Sequence, residues 1–198
     1  MYTFDENELV DILKRLTPSA RVAFAAAAAT RQIESLGHMF PDLRNESADS
    51  PPNVLACLWE DLNVASPNVD LWSLRLEAVM NAIPEENDDW TITDALLDDG
   101  LSSLAYAIRS MIAGDAQEAV WAARRSYEAT DQVVIRMLDV QPGSPAIERT
   151  IVEHEVVQRE LSRQNQDLRL LSEGRIDEVR RLAHMNPAFG VEEVSGLL

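Results

Sequence analysis

The residues able to carry out chemistry in this chain are few, and their spacing is poor for most chemistries. There are three histidines, His38, His154 and His184, and one cysteine, Cys57. Glu34 and His38 stand four apart, a spacing that lets both side chains reach one metal ion from an unbroken helix. Gly37 falls between them and is read as a helix stop. Glu153, His154 and Glu155 are consecutive and point in different directions on a helix. His184 has no acidic company at a useful spacing. Di-iron carboxylate bundles need Glu-x-x-His on each of two helices, and the sequence contains no such motif. Cys57 lies beside Leu58 in an apolar stripe and reads as a small buried hydrophobe, not an activated thiol. Gly-x-Ser-x-Gly, a phosphate-cradling glycine loop and a dinucleotide fingerprint are all missing from the sequence. The paired carboxylates Glu60-Asp61, Asp88-Asp89 and Asp98-Asp99 would do acid–base work only against apolar walls that shift their pKa values. The sequence therefore assigns no catalytic residue, no cofactor and no metal ligand.

Arg31 is the residue most in need of a partner. It follows an alanine run, and a buried guanidinium needs a carboxylate in forked geometry. Glu60 and Asp94 are the acids expected to supply it, through an ion pair tying the second, third and fifth helices. Should Arg31, Glu60, Asp94 and His154 converge on a cavity open to solvent, the chain would be a small-ligand binder or an enzyme. Should Arg31 be sealed against a carboxylate, that reading fails.

Charge is the strongest bulk signal. The formal charge is -17, and the stretch from Asp42 to Asp99 holds fourteen acidic residues against Arg44 and Arg75. A pI near 4.4 argues against nucleic acid, whose phosphates need Lys and Arg, and against anionic membrane surfaces. The run Val22 to Ala29 is too short for a membrane span, which needs about 20 apolar residues. The N-terminus is acidic, the reverse of a secretory signal, and a lone cysteine fits a reducing compartment. The expected location is the cytoplasm.

The elements that must position these residues are helical throughout. Apolar residues recur at three- and four-residue spacing, and no segment alternates as a strand would. Leu9, Ile12, Leu13 and Leu16 stripe a short first helix. Thr17-Pro18 reads as N-cap and first residue of the second, which holds Ala25 to Ala29 and is expected to end at Gly37. Residues 41 to 50 read as a polar loop. Ser50-Pro51 opens a third helix and Asn68 a fourth, which Pro84 closes before the acidic turn PEENDDW. Thr91 or Thr93 caps the fifth, Gly114 stops it, and Asp115 opens the sixth. Ser144-Pro145 starts a seventh that is expected to run from 145 to about 171, some 27 residues or roughly 40 Å. Its seam would be Ile147, Ile151, His154, Gln158, Leu161, Asn165 and Leu168. A short helix follows to Met185. The predicted fold is all-α, one antiparallel bundle of about seven helices over residues 1–185, with 186–198 as a loosely held tail.

Several of these elements resemble the YjaG-like family of bacterial proteins, catalogued as a domain of unknown function. The resemblance spans about Leu16 to Leu171. It rests on Leu16-Thr17-Pro18, Phe24-Ala25-Ala26 with Arg31 and Phe40, Leu58-Trp59-Glu60 with Leu62, Ala82-Ile83-Pro84, Asp94-Ala95, and Ile151 to Glu155. Two segments depart from the family pattern: Gln32 to His38, and Gln158, which stands three residues beyond Glu155 instead of four. The resemblance implies an all-helical cytoplasmic bacterial protein and brings no catalytic residues with it.

The functional expectation is a non-enzymatic protein-binding domain of immunity or regulatory type, with a basic protein as partner. Its surface would comprise Asp61, Asp70, Glu85, Glu86, Asp88 and Asp89, with Trp72 or Trp90 as aromatic anchor. Plain solubility is the competing explanation of the charge. A homodimer is compatible with the sequence, the 145–171 helix being able to pack internally or across two copies.

Overall fold

The computed structural model describes residues 1–44, 47–62, 64 and 67–194. Among the described residues the chain forms ten α-helices and a single 3-10 turn, Pro41–Arg44, without strands. The helices are α1 Glu6–Lys14, α2 Pro18–Met39, α3 Pro51–Asp61, α4 Val69–Asn81, α5 Ile92–Ala113, α6 Ala116–Leu138, α7 Pro145–Glu153, α8 Glu155–Ser172, α9 Ile176–Met185 and α10 Val191–Val194. This is the expected all-α single domain, with more and shorter helices in its C-terminal third.

Helix α2 is the axis of the fold. Ala23 to Ala29 are fully buried, and burial continues on all sides of the helix through Ile33. Small side chains let neighbours approach closely on every face, and α5, α6, α3, α8 and α9 all pack against it. Thr17 caps α2 as expected, its hydroxyl accepting the N–H of Ala20. Gly37 does not end the helix. It lies buried inside α2, and the chain leaves the helix at Phe40, whose N–H still bonds to Leu36 O at 2.7 Å. Glycine ends a helix where the backbone turns left-handed, as Gly114 does after α5 at φ 68°, and Gly37 is not asked to.

The expected helix over 145–171 is two. At His154 the backbone is extended, ψ 142°, so the residue closes α7 and opens α8. Its Nδ1 accepts the N–H of Val156 at 3.3 Å, and Gln158 donates to the carbonyl of Val152 at 2.8 Å. These bonds satisfy backbone groups that the break would leave open. The break also resets the helical register, so His154, Gln158 and Asn165 form no common buried seam.

The segment read as a loose tail is docked over residues 186–194. Phe189 is buried, the N–H of Ala188 bonds to Arg31 O, and Ser35 Oγ donates to Phe189 O while accepting from its N–H. Arg159 and Glu193 pair at 2.8 Å. The last part of the expected tail, 195–198, lies outside the described residues, as do Asn45 and Glu46 of the expected 41–50 loop.

Candidate functional site

Three helices, α2, α6 and α8, bring polar side chains together in the core. Arg31 of α2, 2% exposed, donates from Nε and Nη2 to the two carboxylate oxygens of Glu160 on α8, each at 3.0 Å, and from Nη1 to Asp167 at 2.7 Å. Ser126 of α6 and Gln164 of α8 also donate to Glu160 Oε1, and Gln32 donates to Ser126. Burial by itself would lower the pKa of Arg31, but Glu160 and Asp167 outweigh it and hold the guanidinium firmly charged. Asp167 is pushed upward by burial, against the pull of Arg31, because one guanidinium serves two carboxylates. All three guanidinium nitrogens donate to these carboxylates, so the sealed group ties α2 to α8.

The residues expected beside Arg31 lie elsewhere. Glu60 is exposed on α3, where the neighbouring Trp59 points inward and donates its indole N–H to Thr30 of α2 at 2.9 Å. Asp94 sits in the first turn of α5 in a capping box with Thr91, whose hydroxyl and N–H hold its carboxyl below the usual range. His154 is the cap between α7 and α8. The expected ion pair of α2 with α3 and α5 is thus replaced by one of α2 with α8. Glu34 and His38 do share an unbroken helix, but Glu34 Oε1 faces His184 Nδ1 at 2.9 Å. Among the described residues no three His, Cys, Asp or Glu side chains are grouped so as to hold a metal ion.

The acidic residues divide between two surfaces. Asp61 accepts the indole N–H of Trp72 at 3.1 Å, and Trp72 is fully buried, so it cannot anchor a partner. Asp70 is exposed on α4, and Glu85, Glu86, Asp88 and Asp89 are exposed in the turn before α5. Trp90, half-buried at the end of that turn, borders two adjoining clefts.

One cleft, of about 350 Å³, has Asp99 at its floor and Trp90, Pro84 and Ala95 as walls, with Glu86 and Asp98 at the rim. Asp99 is 1% exposed. It accepts from Arg125 Nη1 at 3.0 Å and from Gln132 Nε2 at 2.9 Å, both on α6. Asp98 and Glu128 each lie 3.7 Å from the same arginine nitrogen. Burial pushes the Asp99 carboxyl up to about 7, Arg125 pulls against it, and Glu128 and Asp98 add to the rise. The second cleft, of about 620 Å³, runs from Trp90 along Thr91, Ile92 and Thr93 to Ile135 and Arg136. A titratable carboxyl, an aromatic wall and excess negative charge make the first cleft suited to a cationic group. Asp99 was passed over in the sequence because Asp98-Asp99 looks like a solvated pair. Its place on the helical stripe of Ala95, Leu96 and Ser103 is the signal that it turns inward.

The family assignment follows the fold. A model described as protein of unknown function (DUF416) matches residues 8–197. The chain belongs to the DUF416 family. A crystal structure of a DUF416 family protein from Shewanella baltica OS155 superposes with a TM-score of 0.72 at 18% identity, covering 88% of this chain and 92% of that one. At that identity the likeness shows a shared DUF416 fold. No curated protein matches the chain at a significant level. Among the described residues no helix is long and apolar enough to cross a membrane.

Proposed function

We propose that this DUF416 chain is a non-enzymatic protein-binding domain of the cytoplasm, which holds a basic side chain of a partner protein in the cleft between Trp90 and Asp99. The carrying observation is the cleft itself. Three carboxylates, Glu86, Asp98 and Asp99, line it with Arg125 as its one lining cation and Trp90 as the wall, while Glu128 beside it is shared between Arg124 and Arg125. A lysine or arginine entering there meets unbalanced negative charge and an aromatic face, which together favour a cation. Glu85, Asp88 and Asp89 on the turn above extend the attractive field beyond the cleft and raise the encounter rate. An immunity-type or regulatory role is the biological setting in which such a surface acts, by occupying a cationic site on its target. The YjaG-like resemblance agrees with this reading in bringing no established activity.

The test is affinity capture from the source cell with the intact chain and with E86Q/D98N, at about 50 mM and at high salt, where screening shortens the reach of surface charge. A partner retained at low salt, released at high salt and lost with E86Q/D98N supports the proposal. A partner indifferent to both salt and substitution contradicts it.

A further inference from the structure

Among the described residues nothing covers the outer face of helix α4. Among its thirteen residues only Trp72 and Val79 are buried. Leu74 is 64% exposed and Leu71 40%, and Val69 and Met80 are exposed on the opposite flank. Asp70, Leu74, Glu77 and Asn81 follow one another at four- and three-residue spacing, which places them in one line along the outermost side. Arg75, the single cation of the helix, stacks over Trp72 with its guanidinium carbon 4.7 Å from the ring centroid. It is therefore drawn back toward the protein and neutralises the outer line less than its sequence position suggests. The face is apolar and negative at once.

The charge decides what such a face can hold. A second copy of this chain would set Asp70 and Glu77 against their own equivalents, on a molecule of net charge -17. A basic amphipathic helix has the reverse polarity and the same spacing, so its leucines meet leucines while its cations meet the acids beside them. We propose that the outer face of α4 docks a basic amphipathic helix of a partner protein, with Leu71 and Leu74 as the apolar contacts and Asp70 and Glu77 as the charge contacts. This rests on the protein-binding reading above but uses a different surface.

The experiment is a titration of the ¹⁵N-labelled chain with an eighteen-residue peptide of Leu and Lys, its leucines at three- and four-residue spacing. The comparison peptides are a scramble of the same composition and a Leu/Glu analogue. The expected result is amide shifts centred on residues 69–81, with affinity at least tenfold weaker for L71S/L74S, about threefold weaker for D70N/E77Q and at least tenfold weaker for the scramble. These positions are exposed, and unchanged circular dichroism verifies that the variants fold. Unchanged binding by L71S/L74S, or equal binding of the scramble or the Leu/Glu peptide, overturns the proposal. So does a dimer in sedimentation that L71S/L74S dissolves. E86Q/D98N is expected to leave peptide affinity within twofold. If it abolishes binding while L71S/L74S does not, the α4 proposal falls and the cleft reading stands.

Discussion

Arg31 and Glu160 meet as a two-pronged ion pair across 129 residues of sequence, both prongs at 3.0 Å and both side chains sealed from solvent. The pair joins the central helix to α8, and Asp167 completes it from the same helix, seven residues on. Removing one member of such a group leaves a buried charge without compensation, which costs about 3–5 kcal/mol. R31M is therefore expected to lower unfolding stability by that amount in urea, and R31M/E160L/D167L to recover most of it. A cost for R31M below about 1 kcal/mol would contradict the assigned role.

Gly100 marks a close approach of α5 to α2. A Cβ at this position would collide with Leu36 Cδ1 and come within 3.6 Å of Gln32 Cβ. Leu36 is fully buried, so its Cδ1 would have to shift within the packed core. G100A gains about 1 kcal/mol of helix propensity but meets an overpacking cost of about 1–3 kcal/mol. The expected net effect is a loss in thermal or urea unfolding, larger for G100V. A stabilised G100A would show that α2 and α5 are more loosely packed than described.

The C-terminal segment is part of the core. F189A is expected to destabilise by about 3–5 kcal/mol, as deletion of a buried phenylalanine does. Hydrogen exchange of the Ala188 and Phe189 amides, which bond to Arg31 O and Ser35 Oγ, is expected to be as slow as that of α2. Fast exchange at both would restore the reading of a loose tail.

Asp99 is expected to make stability, and the proposed binding, depend on pH in opposite directions. Its folded pKa is raised to about 7 from 3.8, so between these values the folded chain holds a proton that the unfolded chain has lost. The stabilising contribution is complete below pH 3.8 and disappears as pH rises through about 7. The slope from this one group is at most about 1.4 kcal/mol per pH unit. Wild type is expected to lose stability relative to D99N as pH is raised across that window, by urea unfolding at each pH. Curves that stay parallel would contradict the raised value. Affinity for a cationic partner is expected to rise over the same range, because only the ionised carboxylate attracts it.

Much of the fold was legible in the sequence, and the failures have physical causes. The caps Thr17 and Asn68 act as read, because N-capping depends on local geometry. Thr91 is the one of two candidate threonines that caps α5, and Asp115 caps α6 through the N–H of Gln117 without the capping box that Glu118 suggests. Gly37 misled because a helical glycine and a stop glycine look alike until burial is known. The break at His154 was hidden because Ile147 and Ile151 continue into Leu161 and Leu168 at acceptable spacing. With α8 starting at Glu155 its buried line is Val157, Leu161, Gln164, Leu168 and Leu171, and Glu160 and Asp167 fall beside it. Arg31 was read as needing a carboxylate, but sequence spacing carries no information on which face of α2 meets α8. The acids before and within α5 were visible as charge. That one of them, Asp99, forms the floor of a cleft depended on how α5 is rotated against α6.

The proposed binding of a basic partner would centre on the cleft of Trp90 and Asp99. Its most direct test is a hydrogen-exchange footprint of the intact chain with and without the captured partner, repeated with W90A. Protection is expected over residues 84–99 and 125–136, and is expected to be lost in W90A. Protection confined to α7 and α8, or a footprint unchanged by W90A, would contradict it.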